Sequence, residues 1–263
     1  MTKTPYEQLI AVTPYASLVR QNNPGLMTLD GTNTWLLRAP GADDTVLIDP
    51  GQQDSDHLDA VLNVAGPVSL VILTHGHFDH CEIAGQVHER TGAPVRAIDP
   101  SLCVGAAALA DGELIEAGGL RIESWATPGH SADSASFVIS DFDGIGGAVL
   151  TGDTVLGRGT TVVAYPDGDL GNYLASLRRL RELGELTVLP GHGPVLEHAG
   201  DVVQFYLDHR EQRLQQVRDA LVVLGPDATP RAVVEQVYVD VDESLWDAAE
   251  ISVQAQLAYL RGE

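Results

Sequence analysis

The stretch Leu73-Thr74-His75-Gly76-His77-Phe78-Asp79-His80 places three histidines and one aspartate directly after an apolar run. Each of these polar groups would need a partner if it were buried, so the cluster is a poor choice for an apolar core. His75 and His77 are two residues apart, which directs their side chains to the same side of an extended segment. Imidazole and carboxylate groups are common ligands of divalent cations. The stretch therefore predicts a metal site where a strand ends and a helix begins.

Three more polar side chains occupy similar positions later in the chain. His130, Asp153 and His192 each directly follow a glycine just past an apolar run. Binding and catalytic groups concentrate in such loops, because the strands before them form a rigid scaffold. A single short motif carries a risk of chance matches. The convergence of several such segments is therefore the stronger signal for one shared site.

Apolar runs and helical periodicity alternate along the chain and predict a layered α/β fold rather than a helix bundle. The predicted strands are residues 34–37, 45–48, 70–73, 95–98, 120–125, 136–139, 148–150 and 187–189. The predicted helices are residues 54–64, 80–91, 172–183, 201–224, 231–237 and 244–260. After about residue 200 only helical patterns remain. We therefore expect a catalytic domain at 1–200 and a C-terminal helical region at 201–263.

Composition narrows the class of protein. The chain has 263 residues, 44% of them hydrophobic, which suits a globular protein with a sizeable core. Its net charge of −22 opposes nonspecific contact with nucleic-acid phosphates, and we expect no DNA partner. No apolar run reaches the roughly 18–20 residues that span a bilayer, and the N-terminus lacks the layout of a signal peptide. The two cysteines cannot form a disulfide framework. We expect a cytoplasmic protein without a membrane partner.

The seven polar side chains, in their order and spacing, resemble the metal ligands of the metallo-β-lactamase fold superfamily, and the likeness covers most of residues 20–210. The resemblance implies an αββα four-layer sandwich with a dinuclear metal site at one edge. The ligands that it implies are His75, His77 and His130 for one metal, Asp79, His80 and His192 for the other, and Asp153 as a bridge between them.

Elementary chemistry agrees with these implied roles. A carboxylate has two oxygens and can contact two cations, as a bridging Asp153 requires. Seven ligands leave open positions on both metals, which is typical of catalytic sites, and the expected nucleophile is a metal-bound hydroxide. The five imidazoles favour two Zn²⁺ ions, while the carboxylates leave iron or manganese open. Asp79 is also the candidate catalytic residue, because its second oxygen could accept a proton from the attacking water.

Further segments narrow the resemblance to one group. Residues 23–35 and 152–161 resemble the group that contains β-lactamase-like protein 2, an endoribonuclease, and motifs around Tyr173 and His209 extend the likeness. The C-terminal appendage in that group is winged-helix-like. We therefore expect residues 201–263 to form a helical, winged-helix-like region, and its acidic character favours packing over binding of nucleic acid.

The substrate class is open at this point. We favour a small ester, thioester or related acyl substrate; the alternative is a metal-dependent endoribonuclease acting on single-stranded RNA. A noncatalytic binding module is disfavoured by the complete ligand set. RNA affinity rests on phosphate contacts from Lys and Arg, and the net charge disfavours it. RNA stays possible because six arginines lie on two predicted helices: Arg178, Arg179, Arg181, Arg210, Arg213 and Arg218.

Several side chains outside the metal set have both a functional and a structural interpretation. The candidates for substrate contact are Asn33, Arg158, Tyr173, His209 and Arg210. Charges on helix surfaces and residues in tight turns occur without such a role, so packing or solvation is the alternative for each. We interpret His57 and His88 as solvated helix residues. Cys81, next to His80, is interpreted as a packing residue rather than a ligand.

Overall fold

The computed structural model describes residues 5–140, 144, 146–240 and 242–262. The strands in these residues form two mixed sheets that pack face to face. The first sheet contains, in spatial order, β1 (Leu9–Ala11), β2 (Ala16–Arg20), β3 (Asn33–Leu37), β4 (Thr45–Ile48), β5 (Val68–Ile72) and β6 (Val95–Arg96). The second sheet contains, also in spatial order, β7 (Leu114–Ala117), β8 (Leu120–Ala126), β9 (Ala135–Ile139), β10 (Ala148–Gly152) and β11 (Thr187–Pro190).

Helices cover the outer face of each sheet and complete the four layers that the sequence predicts. They are α1 (Ser55–Ala65), α2 (Phe78–Cys81), α3 (Ala84–Thr91), α4 (Leu170–Arg181), α5 (Ala199–Leu224), α6 (Pro230–Val237) and α7 (Trp246–Arg261), with 3₁₀ turns at Pro100–Leu102 and Glu243–Leu245. Helices α1 and α3 bury Leu58 and Val87 in one cluster with Val71 of the first sheet. Helices α4 and α5 cover the second sheet in the same way.

The core between the two sheets explains the apolar runs. Trp35 and Leu37 point into this core, whereas Leu36 belongs to the cluster under α1 and α3. Side chains alternate between the faces of a strand, so a strand covered on both sides is apolar throughout. Burial of a large apolar side chain such as Phe137 contributes about 1.5–3 kcal/mol relative to an exposed position.

The strand directions bring five carboxyl ends to one edge of the sandwich. Strands β4 and β5 are parallel, and so are β10 and β11. Strand β8 points the same way as β10, because both are antiparallel to β9. Two hydrogen bonds join the sheets at this edge: Ala135 N donates to Thr74 O at 2.8 Å, and Asn33 N donates to Gly191 O at 2.8 Å. The polar loops of the sequence therefore meet there.

The structure differs from the predicted elements in several places. Strands β1, β2 and β7 were not predicted. Strands β1 and β7 are short, partly exposed edge strands, and they form because they pair with a neighbouring strand rather than because their sequence is apolar. The predicted helix at 80–91 is two helices, α2 and α3. Between them, the backbone N–H of Ile83 donates to the carbonyl of Gly51 at 3.2 Å. That contact with a neighbouring loop accompanies the break between the two helices.

The C-terminal region continues directly from the sandwich. Helix α5 contributes Val203 and Tyr206 to the cluster under the second sheet, and Val217 and Ala220 to a separate cluster with α6 and α7. The domain boundary at residue 201 stays a prediction. Of the helices that the structure describes, none combines the length and the apolar character needed to cross a bilayer.

Candidate metal centre

The loops after β5 and β8 bring three imidazoles together. His75 Nε2 lies 2.9 Å from His77 Nδ1, and His130 Nε2 lies 3.1 Å from the same His77 atom. His75 and His130 are buried, whereas His77 is exposed. We call these three residues the first set. Their nitrogen atoms are close enough to hold one metal ion together.

A second set forms from the start of helix α2 and the loop after β11. His80 Nε2 lies 3.2 Å from His192 Nε2, which lies 3.0 Å from Asp79 Oδ2. Both imidazoles are buried, while 22% of the Asp79 side chain is exposed. We call Asp79, His80 and His192 the second set. These three side chains could hold another metal ion.

Asp153 lies between the two sets, at the end of β10. Its Oδ2 is 3.4 Å from His192 Nε2 of the second set and 3.8 Å from His130 Nε2 of the first. Its Oδ1 is buried and lies 3.4 Å from His80 Nε2, but it accepts no hydrogen bond in the described part of the chain. A buried carboxylate oxygen without a hydrogen bond is costly, and a cation would satisfy it. The carboxylate therefore fits a position between two cations.

Glycines allow this close packing. A Cβ on Gly191 would lie 2.7 Å from both Asp153 Oδ1 and His80 Cε1. Gly152 has a positive φ of 48°, and a Cβ there would meet the Thr74 side chain at 2.5 Å. A side chain at Gly191 would displace donor atoms of the site, and one at Gly152 would displace Thr74, which contacts His75. These two glycines are therefore required by the geometry of the site.

The outer ring nitrogens of the buried histidines are engaged by hydrogen bonds. His130 Nδ1 donates to the carbonyl of Val162 at 2.9 Å, and His192 Nδ1 donates to the carbonyl of Gly31 at 3.3 Å. His75 Nδ1 lies 3.0 Å from the Thr74 hydroxyl. Such contacts fix the tautomer and the ring orientation, so that the inner nitrogen keeps its lone pair for a metal.

Asp49, which is not among the residues predicted from the sequence, supports the site. Its Oδ2 accepts hydrogen bonds from His80 Nδ1 at 2.9 Å and from the Thr74 hydroxyl at 2.6 Å, and its Oδ1 accepts from Thr74 N at 2.7 Å. Its φ of 52° is unusual for a residue other than glycine. Asp49 directly follows β4 and precedes Pro50-Gly51. A related signal, a polar residue at a strand end with a glycine two positions later, could have identified it.

The two sets differ in the protonation that their surroundings favour. Burial and the neighbouring His80 hold the pKa of His75 well below its usual value, and burial also lowers the pKa of His130. Burial acts against the charged form of His80 and His192 too, but Asp153 and its neighbouring carboxylates outweigh it. The pKa of His80 is therefore raised well above its usual value, and that of His192 is raised to about 9.

The carboxylates respond in the opposite sense. Burial opposes ionisation of Asp153, but the charges of His192 and His80 hold its pKa well below the usual value. The same balance lowers the pKa of Asp79. Cys81 takes no part in this cluster of donor atoms. Its thiol donates to the carbonyl of Gly76 at 3.3 Å, and burial raises its pKa to about 11, as its interpretation as a packing residue implies.

Two of the five candidate substrate contacts lie beneath the site instead of facing it. Asn33 is fully buried; its amide donates to the carbonyls of Pro190 and Gly193 and holds the loop that carries His192. Tyr173 is also fully buried, and its hydroxyl donates to the carbonyl of Thr154 at 2.7 Å. Both side chains position the loops around the metal centre. Their expected direct contact with a substrate is wrong for this structure, because neither presents a surface.

The other three candidates are accessible to different degrees. Arg158 is exposed and pairs with both carboxylate oxygens of Asp30. Arg210 is buried and donates to the carbonyl of Thr161, with its guanidinium 5.1 Å from the centre of the Tyr173 ring. His209 is half-buried on the same helix. The structure thus brings His209 and Arg210 to the segment at 160–162, which also contacts His130.

The interpretation of His57 as a solvated residue is wrong. Its side chain is fully buried, with Nδ1 at 2.6 Å from Glu7 Oε2 and Nε2 at 2.9 Å from the Thr34 hydroxyl. Helix α1 turns this histidine toward the first sheet, where an acid from the N-terminal segment reaches it. A contact partner 50 residues away leaves no local trace in the sequence.

A four-layer αββα sandwich with a histidine and aspartate cluster at one edge defines the class of protein as a metal-dependent hydrolase. The family model described as metallo-beta-lactamase superfamily matches residues 27–192, and the beta-lactamase associated winged helix domain matches residues 229–263. The chain therefore belongs to the metallo-beta-lactamase superfamily. The likeness to this superfamily that the sequence shows is confirmed, and so are the fold class and the assignment as a hydrolase.

Individual relatives cover most of the chain. It is 31% identical to a beta-lactamase-like protein 2 homolog of Drosophila melanogaster, with 92% of this chain and 86% of the relative aligned. It is 37% identical to an atrochrysone carboxyl ACP thioesterase of Aspergillus fumigatus, over 80% of this chain and 66% of the relative. A crystal structure of a metallo-beta-lactamase family protein from Thermus thermophilus has the same fold, with a TM-score of 0.78, 21% identity and coverage of 96% and 95%.

Proposed function

We propose that the chain is a dinuclear zinc-dependent hydrolase of small ester, thioester or related acyl substrates. The observation that carries this proposal is the convergence of seven donor groups into two sets with Asp153 between them. Five imidazoles favour Zn²⁺, and the carboxylates leave iron or manganese compatible. Bound cations would lower the pKa of water and polarise a carbonyl oxygen.

The residues of the chain supply position and proton transfer. The first and second sets, with Asp153, would hold the cations. Asp79 Oδ2 faces His192, and the partial exposure of this carboxylate leaves an oxygen for other contacts. It can accept the proton of the attacking water at that oxygen. Asn33 and Tyr173 keep the loops in place from below, so that the donor atoms need little rearrangement.

Two observations support an acyl substrate. Phe78 lies between the ligand candidates His77 and Asp79 in the sequence and is 77% exposed, so an accessible apolar side chain that suits an acyl chain adjoins the metal centre. In addition, a relative that is 37% identical is named as an acyl carrier protein thioesterase. An acyl group needs one stabilised oxyanion at the reacting carbonyl, and few cationic side chains around it.

The alternative, cleavage of single-stranded RNA, needs a row of available cations for the phosphates. Several arginines of α4 and α5 are instead engaged by acids. Arg179 lies 2.6 Å from Asp111, and Arg218 lies 2.8 Å from Glu211. Arg210 is buried. These contacts favour the acyl substrate over the nucleic acid.

The deciding experiment compares both substrate classes on one preparation. Zinc-loaded protein is assayed with 4-nitrophenyl acetate, an acyl thioester and an unstructured RNA at physiological salt, and its metal content is measured. We expect hydrolysis of the ester and the thioester, and we expect His75→Ala to abolish it. The control variant His198→Ala, at an exposed histidine, should retain it. Robust RNA cleavage without esterase activity would reverse the assignment. Less than one equivalent of metal would overturn the dinuclear site.

A further inference from the structure

A recess of about 280 Å³ is lined in part by the segment at 160–162, which also contacts His130 of the metal centre. Helix α5 contributes His209, Arg210 and Arg213, and helix α7 contributes Gln256. The remaining wall is mostly apolar and includes Leu26, Met27, Val162 and Leu245. An apolar hollow of roughly 300 Å³ or more with a few converging polar groups is the usual form of a small-molecule site.

Three polar atoms of the residues that line the recess lack a hydrogen bond within the described part of the chain. Arg210 and Gln256 are 4% and 3% exposed, and neither Arg210 Nε nor Gln256 Oε1 has a hydrogen bond to any residue that the structure describes. The same holds for His209 Nδ1. Six buried side-chain atoms in the described residues are in this state, and three of them belong to residues that line this one recess. Buried polar atoms are almost always paired, so their concentration here leaves donors and an acceptor unused beside the recess.

The charge of the recess contrasts with that of the whole chain. The net charge of the chain is −22, yet the described residues that line the recess include two arginines and neither aspartate nor glutamate. The contacts of both arginines are with neutral groups: Arg210 with the Thr161 carbonyl and the Tyr173 ring, Arg213 with the Gln216 amide and the Tyr238 ring. Burial and these two cations lower the pKa of His209. The lining of the recess therefore carries two positive charges on an otherwise acidic protein.

The segment at 160–162 joins the recess to the metal centre. The carbonyl of Val162 accepts a hydrogen bond from His130 Nδ1 at 2.9 Å, and the Thr161 hydroxyl donates to the carbonyl of Asp153 at 2.7 Å. Thr161 and Val162 also line the recess. A ligand in the recess is thus one short segment away from two of the residues proposed to hold metal.

We propose that this recess binds an oxyanion, a carboxylate or a phosphate, at the end of the substrate that is remote from the reacting carbonyl. Arg210 Nε and the Arg213 guanidinium donate to the oxyanion, since a guanidinium matches the geometry of such groups. His209 supplies a further donor, and Gln256 Oε1 accepts from a hydroxyl or N–H beside the anion. The apolar wall contacts the adjoining chain. The link to the reacting group rests on the proposed acyl hydrolase function; the binding of the oxyanion does not.

The test uses two esters that differ at one end. Mono-4-nitrophenyl glutarate carries a carboxylate, and 4-nitrophenyl pentanoate is its uncharged counterpart of the same acyl length. We expect the zinc-loaded protein to prefer the glutarate ester, and we expect Arg213→Met and His209→Leu each to lower the ratio of the two kcat/KM values by at least about tenfold, or 1.4 kcal/mol. Arg218→Met, on the same helix but paired with Glu211, should leave the ratio unchanged.

Binding is measured separately, by calorimetric titration of the same proteins with glutarate and with inorganic phosphate. The recess proposal is supported if either ion binds, if both recess variants weaken that binding, and if Arg218→Met retains it. This holds even when no ester is hydrolysed, because the absence of hydrolysis would count against the proposed function alone. The stronger of the two ions identifies the oxyanion. The proposal would be overturned by two results together. Both esters would be hydrolysed with a ratio of kcat/KM values that no variant changes, and the recess variants would not weaken ion binding.

Discussion

The first set, with its three imidazoles, and the second set, with Asp79, belong to one site but differ in charge. The surroundings keep His75 and His130 neutral, because their pKa values are lowered. In the second set the carboxylates raise the pKa of His80, and raise that of His192 to about 9, so that they favour the protonated form of this set when no metal is bound.

This difference shows two ways of preparing a cation site. In the first set, the lowered pKa values of His75 and His130 favour the neutral form, which has a free lone pair for a cation. In the second set, the raised pKa values mean that a cation competes with a proton, and negative charge from Asp79, Asp153 and the supporting Asp49 offsets that cost. We therefore expect the loss of activity or metal affinity to decrease from the shared residue Asp153, through Asp79 of the second set, to the supporting residues Asp49 and Thr74.

The largest effect should come from Asp153→Ala, because this carboxylate faces both sets. We expect kcat/KM for ester hydrolysis to fall on the order of a thousandfold or more, and the zinc content to fall below that of the wild type in the same preparation. Elemental analysis and the ester assay measure both. Asp208→Asn, at an exposed acid of α5, is the control. An Asp153→Ala protein with full metal content and normal turnover would contradict a bridging position.

Asp79→Asn should act on the second set alone. The amide retains one oxygen for contact with His192 but cannot accept the proton, so kcat should fall by at least about a hundredfold. Metal analysis should still find about one equivalent, because the first set is intact. If kcat stays close to that of the wild type, Asp79 contributes a ligand at most and another group accepts the proton.

Asp49→Asn removes the charge behind His80 without a change in shape. Asparagine tolerates the positive φ of this position, so the backbone should keep its conformation. We expect zinc affinity to fall about tenfold or more, measured by competition with a chromophoric chelator. Equal affinity in the variant and the wild type would show that the Asp49 carboxylate only stabilises the fold.

Thr74→Val should have the smallest effect. Its hydroxyl connects Asp49 to His75 of the first set, and valine fills the same space without that connection. Loss of one hydrogen bond costs about 1 kcal/mol, so we expect roughly a fivefold weaker affinity for the first cation. An effect larger than that of Asp49→Asn would reverse the order and make the first set the more dependent on outer contacts.

Much of the site could be predicted because its signals are local. The spacing of His75 to His80, and the glycines before His130, Asp153 and His192, are visible without any contact information, and the structure brings all of these side chains together. The central strands were equally visible, since strands covered on both faces are apolar throughout. The split between α2 and α3 was not, because it involves the backbone of Gly51, which is distant in sequence.

The order of the polar side chains along the chain determined the family and the edge of the sandwich where the metal centre lies. Only the tertiary structure decided which neutral and charged groups contact these side chains from other parts of the chain. Asp49 reaches His80 across 31 residues, Glu7 reaches His57 across 50, and Arg210 and Gln256 meet at one recess from two helices. Burial and charge at such positions depend on what packs nearby in space, and no local pattern records it.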